Sequence, residues 1–269
     1  MTIDCSTRFL ITKQYRRFAE ICNRSQREQV LSLVFGKTGL GKTRSAMHYS
    51  QWNVIEPLLG KPLAARNVPR SLVGCTTAVF TPDVRITPKK LQSGIGLLRN
   101  RFDELMDQAN LWYSTEIGIP YPQQHLRLLI IDEADRLSFS SFEWLRDLHD
   151  RTNMSILLLG SAGMERRLLR TSYLQFYSRL NFIHEMTSLN SAEMRTFIHE
   201  KWQELRLPCS EDDALSAAIM RIADGNFRRL HRIFVEIERL QRLNRLPQIT
   251  LELIDAARQG LLLGTPQHS

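Results

Sequence analysis

Short apolar runs alternate with longer amphipathic segments along the first two thirds of the chain. The apolar runs are largely continuous, which is typical of strands buried on both faces of a parallel sheet. They lie at residues 30–35, 78–80, 128–131 and 154–160. The other segments place apolar side chains at steps of three and four, which predicts helices at residues 8–28, up to about Leu59, from Pro88 onward and at 140–151. Strands that alternate with helices predict a doubly wound α/β layer.

After about residue 188 the pattern changes, and no further strand-like run follows. Four helices are predicted in this part, at residues 191–206, 211–223, 226–243 and 250–262, separated by short polar or Pro/Gly breaks. We therefore predict three parts of the chain. These are a basic helical segment at 1–28, an α/β nucleotide-binding domain at 29–188 and a small helical domain at 189–269.

The composition of the chain indicates which class of partner and which cellular compartment to expect. The chain has 269 residues, of which 43% are hydrophobic, and a formal net charge of +8. Excess positive charge favours a polyanion partner, because each phosphate contact releases counterions. The four cysteines are scattered without a C-x-x-C pair, which argues against a zinc site and for reduced thiols. No run of about 18 apolar residues and no signal peptide is present, so we expect a cytoplasmic protein with no membrane contact.

A glycine-rich motif follows the first predicted strand directly. It matches G-x-x-x-x-G-K-[ST] at Gly36, Lys37, Thr38, Gly39, Leu40, Gly41, Lys42 and Thr43, between a strand and a helix. The glycines let successive backbone N–H groups curl around phosphate oxygens, and the helix that follows directs its positive end at them. Lys42 is expected to reach the β- and γ-phosphates, and the Thr43 hydroxyl to hold Mg²⁺.

Two adjacent acids end the third predicted strand. Asp132 and Glu133 follow four apolar residues at the carboxyl edge of the sheet, where ligands bind in open α/β folds. Asp132 suits the Mg²⁺ shell, and Glu133 can polarise a water for in-line attack on the γ-phosphate. An acid directly after the magnesium ligand favours a hydrolase over most kinases and GTPases.

The order of phosphate loop, D-E-A-D-R-L and helical C-terminal part resembles the AAA+ ATPases. The resemblance implies ATP and Mg²⁺ as cofactors and a P-loop α/β core, its parallel sheet sandwiched by helices, with a small C-terminal helical lid. It also implies roles for three residues. Ser161 resembles the sensor-1 residue that contacts the γ-phosphate or the attacking water, and Arg179 stands where the arginine finger of a neighbouring subunit does. Arg228, in G-N-F-R-R-L, is expected to be the sensor-2 phosphate contact.

Within that superfamily the chain looks like the TniB/TnsC-type transposition ATPases, which are relatives of MuB. The similarity runs from about residue 28 onward and includes L-L-I-I-D-E-A-D-R-L and L-L-L-G-S-A-G-M-E-R-R-L. It implies ATP-driven assembly of a ring or helical filament on double-stranded DNA. The homo-oligomer would recruit a transposase and, with a TniQ-type partner, mark the target. Some relatives act in CRISPR-associated transposition, and the sequence leaves that association open.

The segment 81–90 resembles the region that lines the DNA channel in such proteins. Arg85, Lys89 and Lys90 are expected to meet phosphates, and Thr87 to contact the DNA backbone. Contacts of this kind position a protein without reading bases. Arg99 and Arg101 are weaker candidates, and the arginine-rich helix around Arg228 could instead serve an interface.

Two other functions remain open from the residues. One is an AAA+ helicase loader or a motor that remodels DNA or protein, and the other is a small-molecule kinase. The D-E pair, the candidate finger and the helical lid argue against a kinase. Neither a long unwinding insertion nor a pore aromatic motif is evident, which argues against a motor.

Overall fold

The computed structural model describes residues 9–62, 67–117, 124–204, 213–246 and 248–261. Its strands form one five-stranded sheet in the order β2-β3-β4-β1-β5, and every neighbouring pair is parallel. The strands are β1 Leu31–Phe35, β2 Thr77–Phe80, β3 Leu128–Ile131, β4 Ser155–Gly160 and β5 Leu180–Glu185.

The inner strands β1, β3 and β4 are buried along their whole length, which explains their continuous hydrophobicity. The register brings their carboxyl ends to one edge of the sheet. Phe35 lies opposite Gly160, and Ile131 lies opposite both Phe80 and Leu158. The segments that leave β1, β2, β3 and β4 therefore start side by side, which is where open α/β sheets bind ligands.

Strand β5 was not expected from the sequence. Its residues alternate between half-buried and exposed, because among the strands that the structure describes it pairs only with β1, at the end of the sheet. The sequence L-N-F-I-H-E mixes apolar and polar residues and offers no continuous apolar run. An edge strand of this kind gives a weaker sequence signal than a central one.

Among the described residues up to Glu185, seven helices accompany these strands. They are α1 Lys13–Glu28, α2 Lys42–Tyr49, α3 Trp52–Leu59, α4 Pro88–Ile117, α5 Phe139–Thr152, α6 Met164–Leu168 and α7 Leu174–Tyr177. Two predictions need correction. The first helix begins at Lys13 rather than at residue 8, and the expected single helix up to Leu59 is two helices. They are separated at Gln51, whose φ of 54° lies in the left-handed region.

Contacts divide the chain into two compact units. The larger consists of residues 15–37 and 42–186, and contains the sheet. The smaller takes in the described residues among 1–14, 38–41 and 187–269. It contains α8 Ser191–Glu204, α9 Asp213–Ala223, α10 Phe227–Asn244 and α11 Leu251–Gly260, close to the four predicted helices. The boundaries at residues 28 and 188 stay a proposal.

The smaller unit has a hydrophobic core of its own. Its aromatic centre is Phe234, whose ring lies tilted against Phe197 and meets Trp202 edge to face. The apolar residues of α9, α10 and α11 that face this centre are buried, including Ile219, Ile233, Ile237 and Ile254. Burial of these side chains explains why each of the helices is amphipathic.

No helix in the described ranges is both long and apolar enough to cross a membrane.

Two cysteines lie in the described ranges, Cys22 and Cys75, and both are free. Burial raises the pKa of the Cys22 thiol well above its usual value and that of Cys75 to about 11. Both thiols therefore stay protonated at neutral pH and are poor nucleophiles. Cys5 and Cys209 lie outside the described residues.

Candidate nucleotide site

The glycine-rich motif forms a tight loop between β1 and α2. Gly39 and Gly41 have φ angles of 83° and 93°, in the left-handed region that favours glycine. Helix α2 begins at Lys42, so its positive end starts at this loop. Lys42 Nζ donates to the carbonyl oxygens of Gly36 at 2.7 Å and Lys37 at 2.8 Å. The ammonium group therefore lies against the loop backbone, within reach of phosphate oxygens bound there.

The predicted magnesium ligands lie in contact. Thr43 Oγ1 donates to Asp132 Oδ2 at 2.7 Å, and the Glu133 N–H donates to Asp132 Oδ1 at 2.9 Å. Asp132 is only 5% exposed and forms no ion pair with any residue that the structure describes. A buried carboxylate without a cationic partner is unfavourable unless a cation joins it. The hydroxyl and carboxylate oxygens are the ligand types that Mg²⁺ prefers, so the pair fits this ion.

Glu133 lies at the surface directly after β3. Its side chain is 54% exposed, and its carboxylate forms an ion pair with Arg136 at 2.8 Å. The second guanidinium nitrogen of Arg136 donates to the carbonyl oxygen of Pro82 at 2.7 Å. Glu133 has φ 48° and ψ 44°, a left-handed conformation that is uncommon outside glycine and clusters at functional sites. An exposed carboxylate at this point has access to water, as a general base requires.

Ser161 lies at the end of β4 and contacts the neighbouring acidic block. Its N–H and its hydroxyl both donate to the Asp135 carboxylate, each at 2.7 Å. Arg167 on α6 donates to the Asp135 carbonyl oxygen at 2.7 Å and also to that of Leu137. These bonds hold the short 3₁₀ turn Ala134–Arg136 that follows Glu133. The phosphate role of Ser161 stays a prediction.

Asp135 and Arg167 were missed as contributors to the site. Asp135 belongs to the D-E-A-D block, and Arg167 to the E-R-R-L block after β4. The only sequence signal was that charged residues follow two neighbouring strands. Their pairing with Ser161 and with the turn appears only in the fold.

Arg179 lies between α7 and β5, with 52% of its side chain exposed. It forms an ion pair with Asp150 on α5 at 3.1 Å. Among the described residues, no hydrogen bond or ion pair joins it to the loop Gly36–Thr43. An exposed arginine away from its own loop is compatible with action on another subunit, which stays a prediction.

In the smaller unit, residues 38–41 contact the start of α10. The backbone N–H of Arg228 donates to the Gly39 carbonyl oxygen at 3.2 Å, whereas the Arg228 side chain is exposed. The structure therefore records a backbone contact of Arg228 with the loop. The predicted contact of its guanidinium with phosphate stays a prediction.

The predicted DNA segment forms the turn before α4 and the first turn of that helix. Arg85, Thr87, Lys89 and Lys90 are all exposed. Thr87 Oγ1 accepts from the Lys90 N–H at 3.3 Å, so its hydroxyl caps the helix. In the described part of the chain, Arg85, Lys89 and Lys90 have no ion-pair partner.

Sequence comparison places these features in a known family. The model of the AAA domain family matches residues 25–168, which is more than half of the chain. A relative from Staphylococcus aureus, described as a potential ATP-binding protein, is 30% identical over 274 residues. That match covers 95% of this chain and 97% of the relative.

Solved structures with the same fold include the Thermotoga maritima RuvB Holliday junction branch migration motor. It matches 94% of this chain and 70% of its own, with a TM-score of 0.60 and 15% identity. The Aeropyrum pernix ORC1 protein in complex with DNA has a TM-score of 0.59 at 17% identity, over 92% of this chain and 64% of its own. Domain III of the Thermotoga maritima replication initiation protein DnaA has a TM-score of 0.54 at 12% identity, over 94% of both chains.

At these identities the solved structures show the fold alone, and they confirm the predicted α/β class with its P-loop and parallel sheet. The family itself follows from the matched domain and from the relative that covers nearly the whole chain. The chain is thus an ATP-binding member of the AAA family of ATPases.

Proposed function

We propose that this protein is an ATP-dependent regulator of transposition that assembles as a ring or filament on double-stranded DNA. The assembly recruits a transposase and a TniQ-type targeting protein. The observation that supports the DNA role best is a group of three cations around the start of α4, Arg85, Lys89 and Lys90, which have no ion-pair partner among the described residues. No acidic residue lies in the first turn of that helix to balance them.

Lys89 and Lys90 lie in the first turn of α4, where positive charge is unfavourable for an isolated helix. Cations near a helix N-terminus oppose the helix dipole, at about 0.3–1 kcal/mol each at low ionic strength. A phosphate backbone bound at this turn offsets that penalty, because it meets both the lysines and the positive end of the helix. Contacts to phosphates carry no base sequence, which suits a protein that accepts many target sites.

In this proposal, ATP binding and hydrolysis at the nucleotide site control assembly on DNA. Lys42 would contact the β- and γ-phosphates. Thr43 and Asp132 would hold Mg²⁺, and the ion would supply positive charge against the transferring phosphoryl group. Glu133 accepts a proton from the attacking water. Arg179 of a neighbouring subunit contacts the γ-phosphate, so hydrolysis depends on assembly.

The comparisons support a DNA partner at the level of fold. Of the solved structures with this fold, one is a Holliday junction branch migration motor and another is a protein in complex with DNA. This chain has a net charge of +8, which favours a polyanion partner. Assembly on DNA through the cations of α4 agrees with both observations.

Electron microscopy of the protein with duplex DNA tests the proposal. We expect rings or filaments on the DNA with a non-hydrolysable ATP analogue and none without nucleotide. The Lys42→Ala variant, which loses the phosphate contact, serves as the control and should not assemble. Monomers on or off DNA under all conditions would contradict the assembly, and ATP-driven movement along DNA would favour a remodelling motor instead.

A further inference from the structure

We propose that Asn226 is a positioning residue for the nucleotide loop, in addition to capping α10. Its side-chain amide holds the loop tip, Thr38–Gly41, so that two backbone N–H groups are presented to phosphate. This inference rests on ATP binding, which the family shows, and not on the proposed role at DNA.

The amide of Asn226 bonds in two directions. Its Oδ1 accepts from the backbone N–H groups of Arg228 at 3.0 Å and Arg229 at 3.2 Å, which caps the helix. Its Nδ2 donates to the Thr38 carbonyl oxygen at 2.9 Å. This orientation of the amide is the one that satisfies all three partners, since only the oxygen can accept and only the nitrogen can donate.

A second hydrogen bond joins the next peptide group of the loop to the beginning of α10. The Gly39 carbonyl oxygen accepts from the Arg228 N–H at 3.2 Å. Two successive carbonyl groups of the loop, those of Thr38 and Gly39, are therefore bonded to the beginning of α10. One of the two bonds comes from the Asn226 side chain and the other from the backbone that it caps.

The direction of these carbonyls decides where the adjacent N–H groups point. In a trans peptide the C=O and N–H bonds point in opposite directions. The N–H groups of Gly39 and Leu40 belong to the two tied peptides, so both point away from α10. The Gly39 N–H donates to no residue in the described ranges. Successive backbone N–H groups that face one side form an anion-binding arrangement.

Steric fit makes the contact specific. A Cβ atom at Gly39 would lie 2.4 Å from Asn226 Oδ1, so this close approach requires glycine. The residue before Asn226 is also constrained. Gly225 has φ 67°, its carbonyl oxygen accepts from the Leu189 N–H at 2.9 Å, and a Cβ there would lie 2.8 Å from the Leu189 carbonyl oxygen. The constrained turn at Gly225 therefore sets the position of Asn226, whose side chain approaches the loop so closely that only glycine fits at residue 39.

Capping alone does not account for asparagine at this position. Serine, threonine and aspartate cap helices about as well, because a cap needs only an acceptor oxygen. Asparagine has in addition an amide donor long enough to reach Thr38. The two roles can be separated, since each uses a different atom of the same side chain.

The Asn226→Ser variant separates them without a change in charge. Its hydroxyl can still accept from the first turn of α10, but it ends one bond short of the amide nitrogen and loses the Thr38 contact. We expect ATP to bind about three- to tenfold more weakly, the usual effect of one lost hydrogen bond. The midpoint of thermal unfolding should stay within about 2 °C of the parent value, since the cap remains. Titration with a fluorescent ATP analogue and differential scanning fluorimetry give both values.

Two further variants complete the test. Thr250→Ala removes the cap of α11, where Thr250 Oγ1 accepts from the Leu253 N–H, and should lower the unfolding midpoint with ATP affinity unchanged. Asn226→Ala should both lower the midpoint and weaken ATP as the serine variant does. The proposal is wrong if Asn226→Ser binds ATP like the parent protein, or if Thr250→Ala weakens ATP binding equally. Neither result depends on DNA binding or assembly.

Discussion

Among single residues, Glu133 has an environment that its neighbours in the sequence do not suggest. It adopts a left-handed backbone conformation and its carboxylate pairs with Arg136, which in turn bonds to Pro82. The turn behind it is held by Ser161 and Arg167 through Asp135. The backbone of Glu133 is thus supported from two sides, whereas its carboxylate is exposed and held by one surface ion pair, a weak constraint.

If Glu133 activates water, the Glu133→Gln variant should bind ATP with near-parental affinity and hydrolyse it at least about 100-fold more slowly. The amide keeps the size of the side chain but cannot accept the proton. Phosphate release under saturating ATP is the measurement. Glu143→Gln is a matched control, because Glu143 also pairs with an arginine three residues later, Arg146, at 2.9 Å. Parental turnover in the Glu133 variant would exclude the role.

At the scale of elements, the start of α4 combines features that local stability does not favour. The helix runs from Pro88 to Ile117, with proline at its first position, a threonine cap and two exposed lysines in its first turn. The proline and the cap stabilise the helix start, while the lysines oppose its dipole. A bound polyanion would remove this conflict, which is what we expect if the start of α4 belongs to the proposed DNA-binding surface.

Replacement of Arg85, Lys89 and Lys90 by alanine should reduce the salt dependence of duplex binding. Each lost phosphate contact lowers the slope of log K against log salt by about 0.9, so a change of about 2 to 3 is expected. Fluorescence anisotropy at several salt concentrations measures this slope. The control variant replaces Arg166, Arg195 and Arg221, which are exposed, unpaired in the described structure and located on other helices. An unchanged slope in the first variant, or an equal change in the control, would refute the assignment.

At the scale of the whole molecule, the location of Arg179 bears on assembly. It is exposed, pairs with Asp150 and has no described contact with its own phosphate loop. An arginine finger acts on the site of a neighbouring subunit, through a head-to-tail interface that can close into a ring or continue as a filament. The loop and acids on one subunit and Arg179 on the next would then form one complete site.

Mixing two inactive variants tests this arrangement. Arg179→Ala retains a complete loop and Lys42→Ala retains the arginine, so a mixed assembly contains some interfaces with every group. At equal amounts we expect about one interface in four to be complete and about a quarter of the parental hydrolysis to return. A mixture of Lys42→Ala with Glu133→Gln should stay inactive. Each of these substitutions disables the nucleotide site of the subunit that carries it, so every site in the mixed assembly lacks one group. Absence of recovery at every ratio would place Arg179 outside catalysis.

Local signals in the sequence were sufficient for much of the fold and for the motif residues. Strands β1, β3 and β4 were predictable because burial on both faces requires continuous apolar runs. The phosphate loop was predictable because its residues are contiguous. Strand β5 and the break at Gln51 were not, since an edge strand lacks a continuous apolar run and a left-handed residue needs no particular side chain there.

The sequence by itself thus determined the α/β class, the loop between β1 and α2 and the acids after β3, because these depend on neighbours in the chain. Only the tertiary structure decided which side chains meet. The contact of Thr43 with Asp132 joins residues 89 apart, and that of Asn226 with Thr38 joins residues 188 apart. Such contacts leave no periodic signal, because they depend on how distant segments pack and not on local hydrophobic spacing.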